Sequence, residues 1–157
     1  MSLLPHRLRE ERVFLVHGHD NSAVHEIARF LERARLEVVV LREQPNAGST
    51  VIEKLCACSD VGFAVVLMTA DDLGGATAAS PPEQRFRARQ NVLFELGYFL
   101  GKLGRGKVTV LHRPGVEIPS DYSGVLFIPL DEAGAWRFEL ARELRTAGLP
   151  LDLNTML

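Results

Sequence analysis

Short apolar runs rich in β-branched residues alternate with amphipathic stretches along this chain, and no other feature constrains the fold as much. The runs are VFLVHG (Val13–Gly18), EVVVL (Glu37–Leu41), VGFAVVLMT (Val61–Thr69), KVTVLH (Lys107–His112) and VLFIPL (Val125–Leu130). Helical periodicity falls between them. It covers about Ser22–Arg35, with Val24, Ile27, Ala28, Leu31 and Ala34 on one face, then about Val51–Ser59, Arg87–Gly104 and Ala135–Ala147. Strands that are apolar throughout are buried on both faces, as in a parallel sheet covered by helices. The expected fold is α/β and flavodoxin-like, a five-stranded parallel sheet of order 2-1-3-4-5 with helices on both faces. Residues 1–12 are read as an N-terminal extension and 13–157 as a single domain.

In such a sheet the ligand crevice lies beyond the carboxyl ends of the strands, where the strand order reverses. Here that is between the first and third strands. HGHDNS follows the first, TADDLGG the third, and a long Gly/Ala/Pro loop from Asp71 to about Pro82 leads on to the stretch RARQNVLFELGYFLGKLG (Arg87–Gly104). That stretch is apolar almost all round, so its helix is expected to be largely buried. Glu95 in its middle is therefore either on the one wet stripe, with Asn91 and Lys102, or placed for chemistry. Thr50 and Glu53 have the spacing of a capping box for the second helix.

Bulk properties narrow the function classes. A net charge of −2 over 157 residues leaves no basic footprint for nucleic acid and no polybasic membrane patch. No apolar run approaches the roughly 20 residues that span a bilayer, and the first residues lack a signal-peptide core. Cys56 and Cys58, the only cysteines, are too few for a disulfide framework and are expected as core or boundary thiols in a reducing, cytoplasmic setting. His17, His19 and Asp20 invite a metal reading, but Asn21 and Ser22 stand where a metallo-hydrolase signature needs Asp and His, so no metal is expected. Gly18 suits a tight turn beside a ligand, and Asp20 or Ser22 suits a helix cap. Asp71 and Asp72 either contact ribose hydroxyls or make the turn after the third strand. Arg87, Arg89 and Gln90 either hold a pyrophosphate or are solvated at a helix start, where cations oppose the helix dipole. Trp136 is expected to anchor the last helix. No G-x-G-x-x-G follows the first strand, which argues against a Rossmann redox cofactor.

The segments VFLVHGHD, EQPNAGSTVIEKL, VVLMTADDLG and RARQNVLFELGYFLGKLGRGKV, followed by VEIPSDYSGVLFIPLD and AWRFELARELRTAG, resemble in order and spacing a bacterial TIR-like family. The family includes the TIR effector domains of anti-phage systems triggered by cyclic nucleotides, and the likeness runs from Val13 through nearly the whole chain. It implies an NAD+ glycohydrolase with Glu95 as the catalytic carboxylate. It also implies a substrate crevice lined by His17, Gly18, His19 and Asp20, by Gln44, Gly48 and Thr50 of the Arg42–Thr50 loop, and by Asp71, Asp72, Arg89 and Asn91. NAD+ would be the substrate, with no further cofactor. The implied partners are copies of the chain in TIR assemblies and a sensor domain or protein that responds to a cyclic nucleotide. The rival readings are a non-enzymatic interaction module, a nucleotide-binding sensor, and another glycosyl-transfer enzyme on this fold.

Overall fold

The computed structural model describes residues 9–77 and 83–155. Five strands form the parallel sheet: β1 (Arg12–Val16), β2 (Glu37–Val40), β3 (Phe63–Met68), β6 (Val108–His112) and β7 (Leu126–Pro129). Their order is β2-β1-β3-β6-β7, so the reversal lies between β1 and β3 as expected. The register pairs Val16 with Val66 and Met68 with His112, and brings the ends of β1, β3 and β6 to one level. Four helices cover the sheet: α1 (Asn21–Arg33), α2 (Val51–Cys58), α3 (Gln90–Leu103) and α4 (Trp136–Thr146).

The period of two along each strand divides the core. Val13 and Leu15 of β1, with Phe63, Val65 and Leu67 of β3, pack against α1 and α4 on one face. Phe14 and Val16, with Ala64, Val66 and Met68, pack against α2 and α3 on the other. Every residue of β3 is buried, which is why its sequence carries no polar alternation. Trp136 is buried at the start of α4, edge-on to Phe30 of α1 at 5.2 Å between ring centroids.

Several sequence expectations need correcting. The segment from Asp71 is not loop throughout. Residues Asp72–Gly74 form β4, which pairs antiparallel with β5 (Arg85–Arg87); residues 78–82 of the expected loop lie outside the described residues. Arg87 thus belongs to a strand, and α3 starts three residues later at Gln90. Alternating polar and apolar residues in a three-residue strand are too short a signal to read. Nor is α3 buried all round. Its inner face is Val92, Leu96 and Phe99, while Phe94 is exposed. Cys56 is exposed and Cys58 half-buried, because α2 is a single short layer over the sheet and turns only Leu55 fully inward. The sheet itself begins at Arg12, which pairs with Glu37 in register and through its guanidinium at 3.1 Å.

Candidate functional site

The carboxyl end of β1 runs into His17-Gly18-His19-Asp20, and the end of β3 into Thr69-Ala70-Asp71. The two turns interlock. One Asp71 carboxylate oxygen accepts the His19 backbone N–H at 3.0 Å and the Thr69 hydroxyl at 2.8 Å. The other oxygen lies over Gly18, where an added Cβ would sit 1.9 Å away. Only glycine leaves room for that carboxylate. Asp20 caps α1, accepting the Ala23 N–H at 3.0 Å, and bridges to Arg113 beyond β6 at 3.1 Å. Burial alone would raise the Asp20 carboxyl, but the Ala23 amide and the Arg113 guanidinium outweigh it and hold the group below its ordinary range. Asp20 and Asp71 therefore tie three strand ends together. Asp72 opens β4 opposite Arg87.

Beside this interlock, a cleft of about 230 Å3 is lined by Leu15, His17, Leu41, Arg42, Asn46, Val51, Lys54, Arg89, Asn91 and Glu95. Each polar member has a structural reason to be there. His17 ends β1, and its Nδ1–H donates to the Gly18 carbonyl at 2.7 Å, leaving Nε2 without a proton in the neutral ring. Burial lowers the His17 pKa, partly offset by that hydrogen bond, so the imidazole is neutral at pH 7. Arg42 follows β2 in a 3-10 turn (Leu41–Glu43) and donates to the Asn21 side chain at 2.6 Å. Lys54 stands on α2 three residues from Val51, the spacing that puts both on one helix face, and donates to Asn46 at 3.0 Å. That helix is held by a complete Thr50–Glu53 capping box. The turn Asn46–Ser49 is closed by a 2.7 Å backbone bond, with Ala47 and Gly48 both at positive φ (44° and 76°).

Glu95 forms the wall opposite. It sits on the second turn of α3, half-buried, between the inward residues Val92 and Leu96. Burial pushes its carboxyl up to about 7, and the nearby Arg89 guanidinium pulls it partly back. Among the described residues no hydrogen-bond donor reaches this carboxylate. Arg89, the residue just before α3, in turn meets the His19 ring nitrogen at 3.2 Å. The rotation of α3 that aims Glu95 is fixed one turn further on, where Tyr98 and Lys102 both donate to the buried Ser59 hydroxyl at 2.8 and 2.7 Å. Phe99 locks the inner face on Phe14 at 4.7 Å between centroids.

Glu95, Asn91 and Val51 also border a second, apolar groove of about 290 Å3, completed by Ile52, Leu55 and Phe94. Val51, Ile52 and Phe94 are 67, 59 and 55 % exposed, so this groove is open to a ligand. Glu95 thus stands on the wall between a cationic cleft and an apolar one.

Of the residues singled out in the sequence, the structure brings His17, Arg89, Asn91 and Glu95 into the cationic cleft. Gly18, His19, Asp20 and Asp71 build the adjoining interlock instead. Gln44, Gly48 and Thr50 shape the segment that carries Asn46 and Lys54, and do not line the cleft themselves. Sequence reasoning names the Arg42–Thr50 loop as lining the crevice without singling out Arg42 or Asn46 in it, and does not single out Val51, Ile52, Lys54 and Phe94 as site residues. The available signal was the face shared by Val51 and Lys54 once the capping box had set the start of α2. No group of histidine, cysteine and carboxylate side chains suited to a metal occurs among the described residues.

A family model described as CAP12/Pycsar effector protein, TIR domain, matches residues 12–132. The chain is 54 % identical over 147 residues to the protein YuaY of Escherichia coli strain K12, described as uncharacterised; the match covers 93 % of this chain and 48 % of that protein. It is 36 % identical over 130 residues to Protein tirC of Dictyostelium discoideum, covering 77 % of this chain and 65 % of that one. It is 44 % identical over 70 residues to the Pycsar effector protein BcPycTIR of Burkholderia cepacia, covering 43 % of this chain and 22 % of that one. The chain spans about half the length of YuaY and under two-thirds of each of the others.

Proposed function

The chain belongs to the TIR-domain family of CAP12/Pycsar effector proteins, and from that premise we propose that it is an NAD+ glycohydrolase serving as the effector domain of a cytoplasmic anti-phage system. The observation that carries the reading is Glu95, a half-buried carboxylate without a hydrogen-bond donor, pushed up to about 7, on the wall of a cleft that holds Arg42, Lys54 and Arg89.

One carboxylate suffices for this reaction. An ordinary glycoside needs a general acid because its leaving group departs as an alkoxide. In NAD+ the leaving nitrogen belongs to a cationic pyridinium. When the C1′–N bond breaks, both electrons go to that nitrogen and nicotinamide leaves neutral. The positive charge passes to the ribose as an oxocarbenium-like centre. The Glu95 carboxylate, fixed and poorly hydrated, stabilises that charge or holds the ribose hydroxyls. Water then adds at C1′ and loses a proton, giving ADP-ribose; attack by an adenine nitrogen instead gives the cyclic form. No cofactor enters the balance. Copies of this chain, and a sensor that responds to a cyclic nucleotide, are the proposed partners that assemble and activate the domain.

The test is NAD+ consumption by concentrated chain under forced oligomerisation, comparing wild type with Glu95→Gln. Free nicotinamide from the wild type alone is the expected result. Equal consumption by both would remove Glu95 from the mechanism. No consumption by either, with assembly demonstrated, would overturn the enzymatic reading in favour of an interaction module or sensor.

A further inference from the structure

The cationic cleft and the apolar groove that meet at Glu95 are chemically unlike, and that difference fixes how a substrate can lie. Arg42, Lys54 and Arg89 come from three separate elements and converge on one cleft. Elsewhere the chain's arginines commonly bridge to carboxylates, as Arg12 does to Glu37, Arg113 to Asp20 and Arg137 to Glu26. Among the described residues these three cations do not. Arg42 rests on the amide of Asn21, Lys54 on the amide of Asn46, and Arg89 on the His19 ring. The only carboxylate in the lining is Glu95, which burial pushes up to about 7, so that it carries roughly half a negative charge at pH 7. Neighbouring positive charges held by neutral amides repel one another and gain from a polyanion. The start of α3 adds to this, with no side-chain cap on its first N–H groups and no acidic residue in its first turn. The adjoining groove is the reverse. Val51, Ile52 and Phe94 offer open apolar surface over the buried Leu55, with no cation in the lining, which suits a flat base.

We propose that the cleft is a diphosphate seat, with Arg42 and Lys54 as specificity-determining residues. The substrate lies with its diphosphate among Arg42, Lys54 and Arg89, its reacting ribose against Glu95, and its departing base in the groove beside Phe94. This deepens the NAD+ reading and rests on it for the identity of the base. It predicts that the site discriminates by phosphate count. A nicotinamide nucleoside with two phosphates is taken over one with a single phosphate, and both over the unphosphorylated nucleoside. A guanidinium and an ammonium facing phosphate each add charge-assisted hydrogen bonds that the shorter substrates leave unmade.

The experiment has a turnover arm and a binding arm, both on the full chain. In the first, KM and kcat/KM are measured for NAD+, nicotinamide mononucleotide and nicotinamide riboside with wild type, Lys54→Met, Lys54→Arg and Phe94→Ala. In the second, calorimetry at low salt measures ADP and AMP binding to the same proteins. The expected result is a preference for NAD+ over the mononucleotide of at least about tenfold, the size of one such contact. Lys54→Met should collapse that preference and Lys54→Arg restore it. ADP should bind more tightly than AMP, with Phe94→Ala leaving ADP affinity where it was while raising the KM for NAD+. Turnover of NAD+ and mononucleotide at equal kcat/KM, unchanged by Lys54→Met, would overturn the diphosphate seat and leave the glycohydrolase reading standing. Absence of all turnover, with ADP still preferred over AMP and the preference lost in Lys54→Met, would overturn the glycohydrolase reading and keep the seat. Equal or absent binding of ADP and AMP, with no turnover, would overturn both. Thermal unfolding of each variant separates loss of the site from loss of fold.

Discussion

The turn at the end of β1 and the wall formed by α2 and α3 border the same crevice, yet they treat their polar groups in opposite ways. In the turn, Asp71 accepts from His19 and Thr69, and Asp20 accepts from Ala23 and is bridged by Arg113. Asp71 Oδ1 and both Asp20 oxygens are committed to the protein, while Asp71 Oδ2 is buried over Gly18 without a hydrogen-bond partner among the described residues. Across the crevice, among the described residues, Glu95 is desolvated without a donor, and Arg42, Lys54 and Arg89 converge without a carboxylate bridge. Groups satisfied internally contribute to stability. Groups left unsatisfied cost stability and are expected where a ligand supplies the missing partner. Substitutions in the two regions should therefore act in opposite directions.

The largest expected effect is on catalysis. Glu95→Gln should lower kcat/KM for NAD+ by at least about a hundredfold, the scale of removing one preorganised electrostatic group. Nicotinamide release under forced assembly measures it. On stability the same substitution should act the other way. The folded-state pKa is raised from 4.5 to about 7. Below pH 4.5 the carboxyl is protonated folded and unfolded, and contributes no difference. Between the two values only the unfolded chain releases its proton, so stability falls as pH rises, and above about 7 the full penalty stands. A tenfold change in proton affinity between the folded and unfolded chain corresponds to about 1.4 kcal/mol. Glu95→Gln should therefore stabilise the fold by about 1–3 kcal/mol at pH 8 and by almost nothing at pH 4.5. Urea unfolding at the two pH values checks the sign. A variant less stable than wild type at pH 8 would break the comparison.

Asp71→Ala should do the reverse, costing about 3 kcal/mol through the hydrogen bonds lost from His19 and Thr69. Gly18→Ala displaces the same carboxylate, so the double variant should cost much less than the sum of the two singles. Additive costs in that cycle would mean that Gly18 and Asp71 act separately. The smallest effect belongs to the Asn46–Ser49 turn. Ala47 sits at φ 44°, where a side chain is unfavourable, so Ala47→Gly should raise stability by about 0.5 kcal/mol after the added freedom of the unfolded glycine is counted. Chemical denaturation of assembly-free protein would show it.

The sheet order was legible because each strand is apolar on both faces and each helix has a single core stripe. Val13 and Phe14 could be assigned to opposite faces from the period of two alone. Glu95 was legible because a carboxylate amid Val92, Leu93, Phe94 and Leu96 is anomalous within one short window. The β4–β5 pair was not, since Asp72–Gly74 and Arg85–Arg87 are separated by ten residues of chain and meet only in the fold. The cationic cleft was hidden for the same reason. Arg89 stands out as a cation at a helix start, but Arg42 and Lys54 are ordinary surface residues in their own segments, and only the folded sheet puts them beside it. Asp71 illustrates the converse. Its role in the turn is visible only in the fold, where its carboxylate lies over Gly18 and accepts from His19 and Thr69.

The most direct measurement is the pH dependence of nicotinamide release from NAD+ by the assembled chain, with Glu95→Gln alongside. A wild-type rate that falls as pH drops through about 7, with no such limb and little activity in the variant, is the expected result. A rate flat from pH 5 to 8, or equal release by both proteins, would contradict the role given to Glu95.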